Sequence, residues 1–292
     1  SLRVRCGFAA NGDLNEETLA LVKQKLEDDG VCCLEGVLDQ EVLVEFRDEF
    51  LKAWERLDSR ITEAGVDRQR VFKFAELCSR KFGRFDVSEA ACGDPGVFAA
   101  ARKAAVSVLE RAWQAVLGAD AVVHMAGVIM NKAGSEDQAW HRDSSHLFPV
   151  ELPPHAIVVF LPLVPMCEEN GPTHFKPGSH KLAAKESGED VGMETVTCWP
   201  GVGSVTMWDY RLLHRGKRNR TAEARPVMYL AVTKPWYRDD GNAFPDCSLF
   251  DPDPGQGAVP KPDRPPPSMQ GKLQRLAMKG LLKTAADGDG DG

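Results

Sequence analysis

Apolar positions in the first 120 residues recur mostly at helical spacing. Leu19, Val22 and Leu26 follow Asn15-Glu16-Glu17-Thr18, so the spacing predicts a helix capped by Asn15 and stopped at Asp29-Gly30. An apolar, strand-like run, Val31-Cys32-Cys33-Leu34, comes next. Asp39 then opens a second helix with Val42, Leu43, Phe46, Phe50 and Trp54 on one side. A third, alanine-rich helix is expected over 99–117, ended by Gly118.

Beyond residue 121 the pattern changes to short apolar runs broken by Gly, Pro and Asn. Segments 122–130, 156–164, 202–208 and 226–232 read as strands. Strands in that number without helices between them point to an antiparallel sandwich or barrel. The chain is therefore expected to form one domain: 1–120 a mainly helical support, 121–237 the β core, 238–284 an irregular Pro/Gly/Asp-rich segment with a short helix over 270–283. The last residues, 285–292, are expected to be a disordered tail. Their Asp-Gly repeats imitate the start of a calcium loop but lack its later ligands.

Composition adds limits. With 43% hydrophobic residues, 292 positions can bury a large core. The net charge of −7 gives no reason to expect nucleic-acid or anionic-membrane binding, and no apolar run is long enough for a membrane span. Two local basic clusters stand out, one of Arg68, Arg70, Lys73, Arg80, Lys81 and Arg84, the other from Arg211 to Arg220. Each is either a solvated face or a dock for an anionic substrate. The eight cysteines include no CxxC pair, which fits buried thiols in a reducing cytoplasmic or organellar compartment.

The candidate chemistry lies in Gln138-Ala139-Trp140-His141-Arg142-Asp143 and far downstream in His214 and Arg225. In extended chain, residues two apart share a face, so His141 and Asp143 can reach one metal, with Trp140 and Arg142 turned elsewhere. His214 ends a strand-like run and can supply a second imidazole. Two imidazoles and a carboxylate on one face of Fe(II) leave the opposite face open. Arg225, just before Pro226, is either a surface arginine or a buried guanidinium paired with a carboxylate.

Three stretches then keep a common order: Trp140-His141-Arg142-Asp143 with His146-Leu147-Phe148-Pro149; Glu169-Asn170-Gly171-Pro172-Thr173 leading to Pro177-Gly178-Ser179-His180; and Tyr210-Arg211-Leu212-Leu213-His214-Arg215-Gly216 with Asn219, Arg225 and Pro226. On these motifs the chain resembles the phytanoyl-CoA dioxygenase family of Fe(II)/2-oxoglutarate oxygenases. The resemblance implies a double-stranded β-helix, a jelly-roll, cupin-like core with N-terminal helices packed on one sheet. It implies His141, Asp143 and His214 as iron ligands and Arg225 as the partner of the far carboxylate of 2-oxoglutarate. Thr173 and Gln138 occupy places where relatives contact that cosubstrate. The implied cofactors are Fe(II), 2-oxoglutarate and O2. The implied reaction couples decarboxylation of 2-oxoglutarate to oxidation of a C–H bond, most simply a hydroxylation. The substrate is a small molecule, an acyl-CoA or a specialised metabolite. Halogenating relatives lack the carboxylate that Asp143 retains.

Desaturation and oxidative cyclisation stay open, as does a non-catalytic ligand-binding barrel. Among other residues, His180 after the Pro177-Gly178 turn is read as structural and His146 as a candidate for facing substrate. His124, His155 and His174 are read as ordinary. Asn219-Arg220-Thr221 is a formal glycosylation sequon lying between two site residues.

Overall fold

The computed structural model describes residues 2–80, 83–188 and 192–258. The expected helix over 270–283, the tail and Lys81 lie outside these residues.

Three long helices follow local sequence signals. Helix α1 (Glu16–Asp28) starts where the Asn15 side chain accepts a hydrogen bond from Thr18 N, and it buries Leu19, Val22 and Leu26. Helix α2 (Gln40–Glu63) is capped by Asp39 and turns Leu43, Phe46, Phe50 and Trp54 inward. Helix α3 (Pro95–Leu117) begins four residues before the expected start. Asp94 accepts from the amides of Gly96 and Val97, and Pro95 occupies the first turn, where its missing N–H costs nothing. The Phe46 and Phe98 rings meet edge to face at 5.2 Å, tying α2 to α3.

Eleven strands are seen among the described residues. Eight form one sheet: β1 (Arg3–Val4), β2 (Val31–Leu34), β3 (Leu77–Arg80), β4 (Arg84–Ser88), β5 (Val122–Asn131), β6 (Ala156–Pro162), β9 (Val205–Asp209) and β11 (Arg225–Thr233). Their order is β1-β2-β9-β6-β11-β5-β4-β3. A smaller sheet holds β10 (His214–Gly216), β7 (Thr173–Phe175) and β8 (Val196–Thr197). The short helix α4 (Leu182–Ser187) lies between β7 and β8. Two layers connected in this way, antiparallel apart from the β1–β2 pair, form the double-stranded β-helix, or jelly roll.

The segment before residue 121 is mainly helical and holds the expected strand β2, but it also supplies three strands, β1, β3 and β4, that the hydrophobic pattern did not signal. In β4, Arg84, Asp86 and Ser88 alternate with Phe85 and Val87, and all five are buried. A polar residue at every second buried position does not read as a strand until something polar is found to cover it.

Alternation along the large sheet assigns its two faces. Phe85, Val87, Val128, Met130, Met228 and Leu230 join the main core with the residues of α1 to α3. The other face holds Val158, Trp208 and Ala231, packed with Phe175 of the small sheet. Arg225 and Tyr229 on β11, and Arg84, Asp86 and Ser88 on β4, fall on this inward face by their spacing along the strands. The barrel interior therefore carries polar groups that the helical side does not.

Candidate active site

The chain segment carrying His141 runs alongside β10. The backbone amides of His141 and His214 each donate to the other's carbonyl at 3.0 Å. Such a bridge places two residues 73 positions apart directly opposite each other, with ring centroids 4.3 Å apart. Asp143, two residues on, faces the same way, and its Oδ1 stands 3.7 Å from His214 Nε2. One ligand atom from each of His141, Asp143 and His214 falls within 4.8 Å of the others. The neighbours turn away as expected. Arg142 Nε donates to Arg211 O at 2.7 Å, and the Trp140 ring meets the cations of Lys176 and Arg215 at 4.9 and 4.7 Å.

Hydrogen bonding sets the tautomers. His141 Nδ1 lies 2.9 Å from Ala139 O, and His214 Nδ1 lies 3.0 Å from Leu212 O. A carbonyl only accepts, so both Nδ1 atoms carry the proton and both Nε2 lone pairs are left to bind a metal. Burial lowers the His214 pKa to about 4 despite the nearby Asp143 carboxylate, so the ring is neutral at physiological pH. Trp208 Nε1 reaches toward Asp143 Oδ2 at 3.4 Å and orients the carboxylate. Two imidazole Nε2 atoms beside a carboxylate are a donor set that suits a divalent first-row metal with open positions.

Arg225 is buried, not on the surface. It opens β11, opposite Asn131 of β5, and Arg84 of β4 flanks Asn131 on the other side. These three residues form one rung of the inward face. Among the described residues Arg225 has no carboxylate partner. One of its nitrogens contacts Met166 Sδ at 3.7 Å, and its Nε has no partner. Burial and the charge of Arg84 lower the Arg225 pKa to about 9. Arg84 donates to the carbonyls of Glu136 and Lys217, both at 3.2 Å, and burial lowers its pKa to about 10. The Asn131 amide is buried with neither its nitrogen nor its oxygen paired. Two buried cations without a carboxylate are costly unless an anion joins them.

A small cleft is lined by neighbours of both groups. Trp208 and Phe175, beside the triad, line one part of it, and Met166, beside Arg225, lines another; Thr173 lies on its wall. Gln138 is held close by, its side-chain oxygen accepting from Gly216 N at 2.9 Å. Gly216 leaves room for both side chains, since a Cβ there would stand 2.5 Å from an Arg84 nitrogen and 2.7 Å from Gln138 Oε1 and push their ends aside. All six residues expected from the sequence thus gather on one side of the barrel interior. Arg84 and Asn131 were missed as site residues. The only signal for Arg84 was its place in a basic run, and that run does not hold together as a patch. Arg68, Arg70 and Arg80 each pair with an acid and stay partly exposed, whereas Arg84 is buried.

Other expectations meet mixed outcomes. His155 Nε2 lies 2.7 Å from the hydroxyl of Ser144, the residue after Asp143. His180 is structural, its Nε2 facing Glu27 O at 3.2 Å. Asn219 is buried and its amide donates to Glu223 O at 2.7 Å, so the sequon is not an acceptor. All eight cysteines are free thiols, and Cys167 is exposed where burial was expected. Among the described residues no helix is long and apolar enough to cross a membrane.

The jelly roll with an inward His-x-Asp…His cluster defines the class, a cupin-like oxygenase. The phytanoyl-CoA dioxygenase (PhyH) family model matches residues 26–227, and the chain belongs to that family. It is an oxygenase-type enzyme. Solved structures share the fold at low identity. AviO1 from Streptomyces viridochromogenes superposes with a TM-score of 0.54 at 19% identity, over 75% of this chain and 96% of its own. The alpha-ketoglutarate-dependent epimerase SnoN of nogalamycin biosynthesis gives 0.53 at 22%, covering 85% and 94%. The carbocyclase SnoK from the same biosynthesis gives 0.55 at 14%, covering 89% and 97%. SnoN has also been solved with Fe3+, alpha-ketoglutarate and nogalamycin RO.

Proposed function

We propose that this chain is an Fe(II)/2-oxoglutarate-dependent dioxygenase that hydroxylates a C–H bond of a small molecule. His141, Asp143 and His214 hold the iron. Arg225 takes the far carboxylate of 2-oxoglutarate, and Arg84 adds its charge from across Asn131. Thr173 and Gln138 flank the cosubstrate. The observation that carries this reading is the pairing of two free Nε2 lone pairs and a carboxylate with a buried guanidinium that has no carboxylate of its own.

When bound, the iron supplies the activation of dioxygen coupled to decarboxylation of 2-oxoglutarate to succinate and carbon dioxide. The protein's part is positional. The Nδ1–H bonds to Ala139 and Leu212 lock both imidazoles in the metal-binding tautomer, and Trp208 fixes the carboxylate. Arg225 and Arg84 give an anion a single productive direction in the cleft. Its apolar walls, Phe160, Phe175 and Trp208, keep water from the reacting centre.

Asp143→Ala tests the assignment. The wild type is expected to develop a visible charge-transfer band when Fe(II) and 2-oxoglutarate are added without oxygen, and to release succinate under air. The variant is expected to do neither. A variant that still releases succinate would remove Asp143 from the ligand set.

A further inference from the structure

The wall of the cleft carries a thiol that the oxygenase reading does not use. Cys198 lines the cleft together with Met166, Pro200 and Thr206. Thr206 stands opposite Cys33 where β2 and β9 pair. Side chains alternate along β2: Cys32 and Leu34 join the main core, Val31 packs on the inward face, and Cys33 shares that inward face. Cys33 and Cys198 are 165 positions apart in the chain and both buried. Their thiols nevertheless hydrogen-bond to each other, and the Thr206 hydroxyl is a second partner of Cys33.

This pair differs from the other buried cysteines. Burial pushes the Cys32, Cys78 and Cys92 thiols up, which keeps them protonated and unreactive. The S–H of Cys198 instead holds the Cys33 thiol below its ordinary range, and the Thr206 hydroxyl adds to this against the effect of burial. The shared proton therefore sits on Cys198, and Cys33 is the sulfur with thiolate character. Two sulfurs in contact, one of them facing a cleft, are the arrangement from which a disulfide forms. A metal is the poorer occupant, because two thiols fall short of the four ligands of a structural zinc site. Among the described residues, the group of three or more side chains able to hold a metal is the triad His141, Asp143 and His214.

We propose that Cys33 and Cys198 form a reversible disulfide, a redox modification site in the wall of the cleft. The oxidant is hydrogen peroxide, small enough to enter the cleft. Each thiol gives up one proton and one electron as the S–S bond forms; the peroxide O–O bond breaks, and the two protons and two electrons convert it to two waters. A dithiol reverses the step by exchange. The bond fastens β2 of the large sheet to the segment that follows β8 of the small one. That segment also reaches the anion-binding side of the cleft, since Met166 N donates to Pro200 O at 3.0 Å and Met166 contacts Arg225. Drawing Cys198 to an S–S length of about 2.0 Å displaces this wall, so oxidation weakens binding of the cosubstrate. That last effect, unlike the bond itself, rests on the oxygenase reading above.

Two measurements test it. In the first, the metal-free full chain is treated with hydrogen peroxide, desalted, alkylated and digested, and linked peptides are read by mass spectrometry. A Cys33–Cys198 link is expected, retained in Cys32→Ser, absent from Cys33→Ser and Cys198→Ser, and removed by dithiothreitol. Alkylated Cys33 and Cys198 after treatment, or a link that survives Cys33→Ser, would overturn the site. In the second, treated and untreated samples receive fresh Fe(II), and succinate release is followed over a range of 2-oxoglutarate concentrations. Oxidation is expected to raise the wild-type KM for 2-oxoglutarate at least about threefold with little change in kcat. Dithiothreitol should restore it, and Cys33→Ser should show no rise. An unchanged KM in a fully linked sample would overturn the effect on the cleft. No succinate from the untreated wild type would instead defeat the oxygenase reading, with the peptide map still deciding the disulfide.

Discussion

At the scale of single residues, the site is made by side chains that lack partners. Arg225 is the plainest case, a buried guanidinium that among the described residues meets the thioether of Met166 and no carboxylate. Arg225→Gln removes the charge that would pair with the cosubstrate. Losing one side of a buried ion pair costs about 2 kcal/mol or more, roughly 30-fold. The expected result is a KM for 2-oxoglutarate raised about 30-fold, with Fe(II) affinity unchanged in a metal-binding titration. His180 allows a separate test away from the metal. Burial holds its pKa below the ordinary 6.5. The unfolded chain therefore takes up the proton more readily, and this contribution to stability is complete above pH 6.5 and lost as pH falls below it. Urea midpoints measured at about pH 7.5 and about pH 5.5 should drop further for the wild type than for His180→Gln. Equal drops would remove His180 as the cause.

At the scale of elements, legibility followed the strength of local signals. Helices α1 and α2 were readable because a capping side chain precedes a face of large apolar residues. For α3 the alanine-rich body was readable and the first turn was not. Gly96 hid a start that Asp94 and Pro95 had marked. Asp94 accepts two amide hydrogen bonds, so Asp94→Ala should cost about 1 kcal/mol and lower the Tm by about 2–4 °C. Turnover should be unaffected, since α3 packs on the far face of the sheet. An equally large loss of activity would mean that α3 reaches the site. Strands β5, β6, β9 and β11 announced themselves as apolar runs. β4 and the three-residue β7 and β10 did not, because half of β4 is polar and the other two are too short for a period to show.

At the scale of the whole molecule, the site is a joint between two sheets. His214 and Thr173 come from the small sheet, Arg225 and Arg84 from the large one, and His141 and Asp143 from the segment bridged to β10. Ligands that touch both layers should fasten them together. A ligand present at about 100 times its Kd adds about 2.7 kcal/mol. Fe(II) alone and Fe(II) with 2-oxoglutarate should thus raise the Tm in two steps under anaerobic conditions, and Arg225→Gln should lose the second step only. A single step unaffected by the variant would place the cosubstrate elsewhere.

The amino-acid order by itself determined the periodic elements, the His-x-Asp spacing that turns two ligands to one side, and the family motifs, since all are properties of neighbouring residues. Only the tertiary structure decided that Arg225 is buried and that Arg84 and Asn131 stand beside it. Those facts depend on strand register across positions more than 40 residues apart in the chain. Register is set by how the whole core packs, and no local pattern of polar and apolar residues encodes it.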